Sequence, residues 1–147
     1  MVEDEEARKV AAAIQVGIGF FTRQLRQAPV EDGGLTFSEL LALSRLDRVG
    51  SATTSALARA EQITPQAMGT TIAALEERGL IERRPDDRDA RRVLVSMTDA
   101  GRAALDGRRD ARTDQMTRVL ANRFTPSELK ALLAAAPLLE RLGEGLS

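Results

Sequence analysis

The stretch TPQAMGTTIAALEERGLIERRPDDRDARRVLVSMT, residues 64–98, decides the fold of this chain. Its first part predicts an amphipathic helix over residues 64–78, because Thr64 can cap the first turn and Pro65 has a helical φ where no N–H is needed. Gly79 then supplies the left-handed residue that ends a helix. The remainder predicts a short β-hairpin with a charged tip. A helix followed by an arginine-bearing hairpin can fill a DNA major groove and reach the adjacent minor groove, as in a winged helix-turn-helix.

The neighbouring segments strengthen this interpretation. Residues 53–60 predict a short helix capped by Thr53, and only three residues separate it from Thr64, as a helix-turn-helix requires. Downstream, residues 81–84 and 92–97 predict the two strands of the hairpin. Taken alone, the helix would favour an ordinary surface helix, and a charged hairpin is usually just solvated surface. The order of these elements therefore carries the prediction of DNA binding.

The candidate DNA-binding residues lie on the polar face of the predicted helix and in the hairpin. Small and hydrogen-bonding groups on that helix face can contact base edges, and arginines can contact phosphates or the minor groove. The candidates are Thr64, Pro65, Gln66, Gly69, Thr70, Thr71, Arg78, Arg88, Asp89, Arg91 and Arg92.

Three segments resemble the MarR family of bacterial transcriptional regulators. Residues 75–83 are similar to the end of that family's recognition helix and its first wing strand, and residues 89–101 are similar to its wing signature. Residues 35–40 resemble the start of its second helix. The resemblance implies that Arg91 enters the minor groove while Asp89 orients its guanidinium, which agrees with the attraction of arginine to a narrow minor groove.

Two positions depart from the family pattern. The family usually has Ser or Thr followed by Arg where Gly69 and Thr70 stand, and it commonly has a second wing arginine at the position of Ala90. From Thr53 to Thr98 there are seven arginines and seven acidic residues, so this region is electrically balanced. Balanced charge predicts modest non-specific affinity for DNA.

The two ends of the chain predict a helical assembly. We expect residues 35–98 to form the winged helix-turn-helix lobe, and residues 4–30 and 99–144 to form a helical dimerisation lobe in a mainly α fold. Capping boxes at Thr36 and Thr125 predict two helix starts, and Pro137 is expected to bend or break the last helix. The terminal helices carry more apolar side chains than one small subunit is expected to bury, and the resemblance to the MarR family implies that these helices interlock across a two-fold axis; a monomer that packs them within itself is the less favoured alternative. A homodimer follows, with two recognition helices about 10 bp apart and an inverted-repeat operator.

Composition narrows the function. The chain has 147 residues, 43% of them hydrophobic, a formal net charge of −1, and neither cysteine nor histidine. These counts exclude disulfides and thiol sensing, argue against a zinc or copper site, and give no support to an enzyme or a cofactor. No apolar run is long enough to span a bilayer, and the acidic N-terminus differs from a signal peptide, which predicts a cytoplasmic protein.

The resemblance further implies a small-molecule pocket beside the DNA-binding lobe. An apolar cleft with a cation would suit a small aromatic or anionic effector. The candidate lining residues are Phe20, Phe21, Phe37, Leu41 and Arg45. We therefore expect a ligand-responsive repressor that binds double-stranded DNA as a homodimer. Two alternatives remain at this point: a winged-helix protein-interaction module without DNA binding and, more remotely, a small helical enzyme.

Overall fold

The structure is a computed structural model, and it describes residues 3–28 and 34–147. Six helices and three short strands follow one another along the described chain. They are α1 (Asp4–Gln27), α2 (Phe37–Val49), β1 (Ser51–Ala52), α3 (Thr54–Ala60), α4 (Pro65–Glu77), β2 (Ile81–Pro85), β3 (Val93–Met97), α5 (Asp99–Arg123) and α6 (Pro126–Glu144). The fold class is mainly α with a small β wing, as predicted. Residues 29 and 30 of the predicted first helical segment lie outside the described residues.

Helices α3 and α4 form the helix-turn-helix, and the predicted threonines Thr53 and Thr64 cap their N-termini. The Thr53 hydroxyl accepts a hydrogen bond from the Ala56 N–H, and the Thr64 hydroxyl accepts one from the Ala67 N–H, each at 3.1 Å. Gln62 adopts a φ of 56° in the turn between them. Gly79, with a φ of 73°, follows the end of α4 and turns the chain into β2. The termini of the central helix are thus set by local chemistry.

The wing belongs to a three-stranded antiparallel sheet with the strand order β1-β3-β2. Val95 at the centre of β3 is paired with Arg83 of β2 and with Ala52 of β1. The sequence predicted only the two-stranded hairpin and missed β1. A strand of two residues shows no alternation of polar and apolar side chains, so its pairing depends on tertiary contacts that a local pattern does not reveal.

One apolar core joins α2, α3, α4, the sheet and the start of α5. Its largest fully buried side chains include Leu43, Leu57, Ile72 and Leu105. Burial of this many aliphatic side chains, each worth about 1.5–3 kcal/mol, is the main source of stability in this part of the fold. The core holds α4 by one face and leaves its other face exposed.

The first turn of α5 packs very closely on the turn between α4 and β2. The Thr98 N–H donates to the Leu80 carbonyl at 3.1 Å, and the Thr98 hydroxyl donates to the Gly79 carbonyl at 2.6 Å. A Cβ atom at Gly101 would lie 2.0 Å from the Leu80 carbonyl oxygen, so only glycine fits there without movement. The start of α5 therefore packs directly on the turn that joins α4 to the first strand of the wing, β2.

Helices α1 and α6 lie outside this core, since neither contains a buried residue. An open apolar cleft of about 720 Å³ lies between them, with Val10, Ile14 and Ile18 on one side and Leu138 and Leu142 on the other. Pro137 was expected to bend or break α6; the helix continues through it, so it does not break there. Proline removes only one bond of the helical ladder, and the surroundings are exposed, so water can satisfy the carbonyl that is left.

Candidate nucleic-acid interface

The exposed face of α4 is polar and carries no positive charge. Gln66 and Thr70 are exposed, and a Cβ atom added at Gly69 beside them would meet no other atom within 4 Å. The Thr70 hydroxyl donates to the Gln66 carbonyl at 3.1 Å, and the Thr71 hydroxyl donates to the Ala67 carbonyl at 3.2 Å. Each hydroxyl oxygen still has lone pairs to accept a further bond. Residues 65–77 contain neither lysine nor arginine, so this face can bring hydrogen bonds and shape to DNA but no cation.

Two aspartates build the tip of the wing. The Asp86 carboxylate accepts from the Arg88 N–H at 3.0 Å, and the Asp89 carboxylate accepts from the Arg91 N–H at 3.1 Å. Such bonds from an aspartate to the backbone two residues ahead are typical of tight turns. The Arg92 N–H also donates to the Asp89 carbonyl, at 2.9 Å. The tip is thus an ordered turn.

Asp89 also orients the side chain of Arg91. The Arg91 Nε donates to Asp89 Oδ1 at 3.2 Å, while the Arg91 side chain remains 92% exposed. The hydrogen bonds from the Arg91 side chain and then from its backbone N–H lower the pKa of the Asp89 carboxyl. The contact predicted between these two residues is present. It presents an arginine to solvent at the wing tip in a restricted orientation.

Other arginines of the wing pair with carboxylates of the same lobe. Arg92 lies 3.7 Å from Asp86, and Arg84 pairs with Glu82. Arg88 is exposed at the tip. Arg84 is not one of the DNA contacts predicted from the sequence. It lies shortly before the tip, on the same face of β2 as Glu82, because side chains alternate along a strand.

Arg78 has a different setting from the other predicted contacts. Its Nη1 donates to Glu39 Oε2 and to the Gly34 carbonyl, both at 3.3 Å. Glu39 is buried in the first turn of α2, where its Oε1 also accepts a hydrogen bond from the Thr36 N–H. The structure therefore places Arg78 at the far end of α4 from Thr64, Pro65 and Gln66, tied to α2. Among the other predicted contacts, the exposed face of α4 with Gln66 and Thr70 and the wing tip with Arg88 and Arg91 are open to a partner.

The five candidate effector-binding residues have separate contacts. The Arg26 guanidinium lies 4.8 Å from the centre of the Phe37 ring, whereas Arg45 pairs with Glu61 at 2.9 Å. Phe20 and Phe21 are exposed, and Leu41 is half-buried. The cleft between α1 and α6 is lined by other residues. The effector site stays a prediction.

Within residues 3–28 and 34–147, no three Asp or Glu side chains come together in a way that could hold a metal ion. In the same ranges no helix combines the length and apolar character needed to cross a membrane.

The comparisons with known proteins agree with this geometry. The MarR family profile matches residues 35–93, which run from the start of α2 into β3. An uncharacterized HTH-type transcriptional regulator from Mycobacterium bovis is 34% identical over 140 residues, which cover 92% of this chain and 93% of the relative. The chain belongs to the MarR family.

Further relatives of this MarR-family chain are known by sequence and by structure. An HTH-type transcriptional repressor from Mycobacterium tuberculosis is 29% identical over 126 residues, covering 86% of this chain and 88% of the relative. A crystal structure from Pseudomonas aeruginosa, assigned as a transcriptional regulator, superposes with a TM-score of 0.78 at 33% identity, covering 97% of this chain and 98% of the other. The family and these relatives are transcriptional regulators and not enzymes.

Proposed function

We propose that this MarR-family regulator is a homodimeric repressor that places α4 in the major groove and the wing arginine Arg91 in the adjacent minor groove. The observation that carries the proposal is the exposed first turn of α4 in the same lobe as a wing tip whose arginine is held by Asp89 at 3.2 Å. An arginine that is already oriented loses less entropy on binding, and a narrow minor groove attracts its charge. The repressor named among the relatives supports the direction of regulation.

The dimer is supported by the apolar surface of the terminal helices. Val10, Leu138 and Leu142 line the cleft between α1 and α6 and are each about half exposed, at 53%, 53% and 45%. A large contiguous apolar surface of this kind is typical of an interface in a soluble protein. We propose that the terminal helices of a second copy cover it, so that residues 4–30 and 99–144 act as the dimerisation lobe.

Two-fold symmetry then defines the operator. Two copies of α4 on one face of B-DNA must contact half-sites about one helical turn, roughly 10 bp, apart. The operator is therefore an inverted repeat. Because α4 offers no cation, we expect sequence preference to come from hydrogen bonds of Gln66 and Thr70 and from the width of the minor groove at the wing.

The effector is proposed as a small anionic aromatic compound that releases the DNA. The stacking of Arg26 on Phe37 supports this class, since a guanidinium and an aromatic ring already meet at the start of α2. Addition of benzoate to the protein–operator complex should release labelled DNA. Phe37→Ala should weaken this release by benzoate, while leaving the affinity for the operator unchanged when benzoate is absent. Retention of the complex across a series of aromatic acids would contradict this part of the proposal.

Selection of bound sequences from a pool of random duplexes tests the function directly. The proposal predicts enrichment of an inverted repeat with half-site centres about one turn apart. Failure to enrich any sequence at low salt would instead favour a protein-interaction module that has lost DNA binding. Enrichment of a single, asymmetric half-site would contradict the dimeric mode of binding.

A further inference from the structure

The arginines of the DNA-binding lobe are largely neutralised by carboxylates of the same lobe. Of the seven arginines between residues 53 and 98, five form ion pairs within the described part of the chain. The pairs are Arg78–Glu39, Arg83–Glu76, Arg84–Glu82, Arg91–Asp89 and Arg92–Asp86. Such pairing reduces the charge that the lobe presents to a phosphate backbone.

The pair of Glu82 and Arg84 differs from the others in its position. Both residues lie on the face of β2 opposite to the buried Ile81, because side chains alternate along a strand. Their partners in register on β3 are Ser96 and Leu94, which carry no charge. The Arg84 side chain is 71% exposed and the Glu82 side chain 42% exposed, so the pair faces solvent just before the wing tip. Arg84 is therefore an exposed cation, and the carboxylate of its partner Glu82 makes no other hydrogen bond within the described residues.

Asp86 and Asp89, by contrast, also hold the backbone of the tip. Replacing either one would alter the shape of the wing together with its charge. Glu82 can be changed without removing a turn.

We propose that Glu82 is a specificity-determining residue, which weakens non-specific DNA binding by pairing with Arg84. The inference rests on the proposed function. For Arg84 to contact a phosphate, the Glu82 carboxylate must give up its partner and take a cation from solution. The cation released from DNA is then partly offset by the one taken up, so both the affinity for arbitrary DNA and its dependence on salt are reduced.

The test compares Glu82→Gln with Asp87→Asn, each of which removes one negative charge. Asp87 is exposed at the wing tip and has no ion pair in the described structure, so it is a matched control. On a duplex of scrambled sequence, Glu82→Gln should tighten binding about two- to fivefold per subunit, the range expected for releasing one exposed ion pair. The slope of log affinity against log salt should steepen by up to about 0.9 per subunit. Asp87→Asn should have the smaller effect on both quantities.

A double-mutant cycle identifies the arginine responsible. If Glu82 acts through Arg84, then Glu82→Gln should change little in a protein that already carries Arg84→Ala. Equal effects of Glu82→Gln and Asp87→Asn, or an effect of Glu82→Gln that persists without Arg84, would overturn the proposal.

Binding of wild type and Arg91→Ala to the selected operator distinguishes a failure of the role of Glu82 from a failure of the proposed function. Operator binding that depends on Arg91, together with equal effects of the two charge-removing variants on scrambled DNA, would overturn the role of Glu82 alone. If the wild-type protein binds no duplex at any salt concentration, both the proposed function and the role of Glu82 are overturned.

Discussion

At the scale of single residues, Asp89 accepts two hydrogen bonds from one neighbour and thereby sets the wing tip. Its Oδ1 accepts from both the backbone N–H and the Nε of Arg91, at 3.1 and 3.2 Å. The backbone bond shapes the turn and the side-chain bond limits the rotamers of Arg91. Immobilising a flexible side chain on binding costs about 0.5–1.5 kcal/mol. Because Asp89 already restricts Arg91 in the free protein, less of this entropy is lost when DNA binds.

Replacing the wing arginine should therefore affect binding and not folding. Arg91→Ala is expected to weaken operator binding by about 1–3 kcal/mol, the usual value of a specific oriented contact. Its melting temperature should stay nearly unchanged, because the Arg91 side chain is 92% exposed. Asp89→Ala should give a smaller loss, through disorder of Arg91. Fluorescence titration and thermal unfolding measure the two quantities, and unaltered operator affinity in both variants would remove the wing from the interface.

At the scale of elements, the close contact between α5 and the turn after α4 helps to fix the position of α4 in the fold. A Cβ at Gly101 would lie 2.0 Å from the Leu80 carbonyl oxygen, whereas one at Gly107 of the same helix meets nothing within 4 Å. Gly101→Ala should thus destabilise the fold by about 1–3 kcal/mol, as overpacking does. Gly107→Ala should be neutral or stabilising by up to about 1 kcal/mol, since alanine favours helix. Denaturant unfolding of both variants checks this, and equal stabilities would refute the close approach.

A second link between elements joins α2 to α5 through Asp47. Its carboxylate accepts hydrogen bonds from Arg102 at 2.6 Å and from Arg109 at 3.0 Å, and these bonds lower the pKa of Asp47. A folded-state pKa below the unfolded one means that this contribution to stability is complete above the unfolded pKa. It is lost as the pH falls through the lowered folded-state pKa.

The stability difference between wild type and Asp47→Asn should accordingly be constant at neutral pH and shrink in acid. NMR titration of the Asp47 carboxyl should show a pKa below its usual range, which rises when Arg102 and Arg109 are both replaced by alanine. A carboxyl that titrates normally in the wild-type protein would show that the link between α2 and α5 does not form in solution.

The elements differ in how far the sequence could predict them. Helix α4 was predictable because Thr64, Pro65 and Gly79 mark its ends by local chemistry alone. The contact of Asp89 with Arg91 was expected from the resemblance to the MarR family, and it spans only two residues. Strand β1, by contrast, exists because β3 lies beside it, and a two-residue strand has no pattern of its own.

The setting of Arg78 could not be predicted for the same reason. Its partner Glu39 lies 39 residues away in the sequence, and the helix face that carries Arg78 gives no sign of that contact. Local propensity also left open a break at Pro137 that does not occur, because the missing N–H removes one bond and α6 continues through it. Features set by neighbouring residues, such as helix caps, could therefore be predicted from the sequence. Contacts between residues far apart in the sequence, such as Arg78 with Glu39, could not.

At the scale of the whole molecule, the cleft between α1 and α6 predicts association. Leu142→Glu would place a charge in this apolar cleft and should shift the protein toward monomer, whereas Lys130→Glu, at an exposed position of the same helix, should not. Deleting residues 125–147 should abolish a stable dimer. Light scattering after gel filtration measures the mass, and a full-length protein that is monomeric at micromolar concentration would contradict the dimeric architecture.

The central claim is that two copies of α4 and the wing bind DNA together across a two-fold axis, and half-site spacing tests it most directly. The measurement is a titration of a labelled duplex carrying the selected inverted repeat, alongside the same duplex with about 5 bp inserted between its half-sites. The insertion turns one half-site by about half a helical turn, to the opposite face of the DNA. The account predicts two protomers on the original duplex and at least about tenfold weaker binding to the inserted one, because both half-sites can no longer be contacted at once. Equal affinity for the two duplexes, or one protomer bound to each, would contradict it.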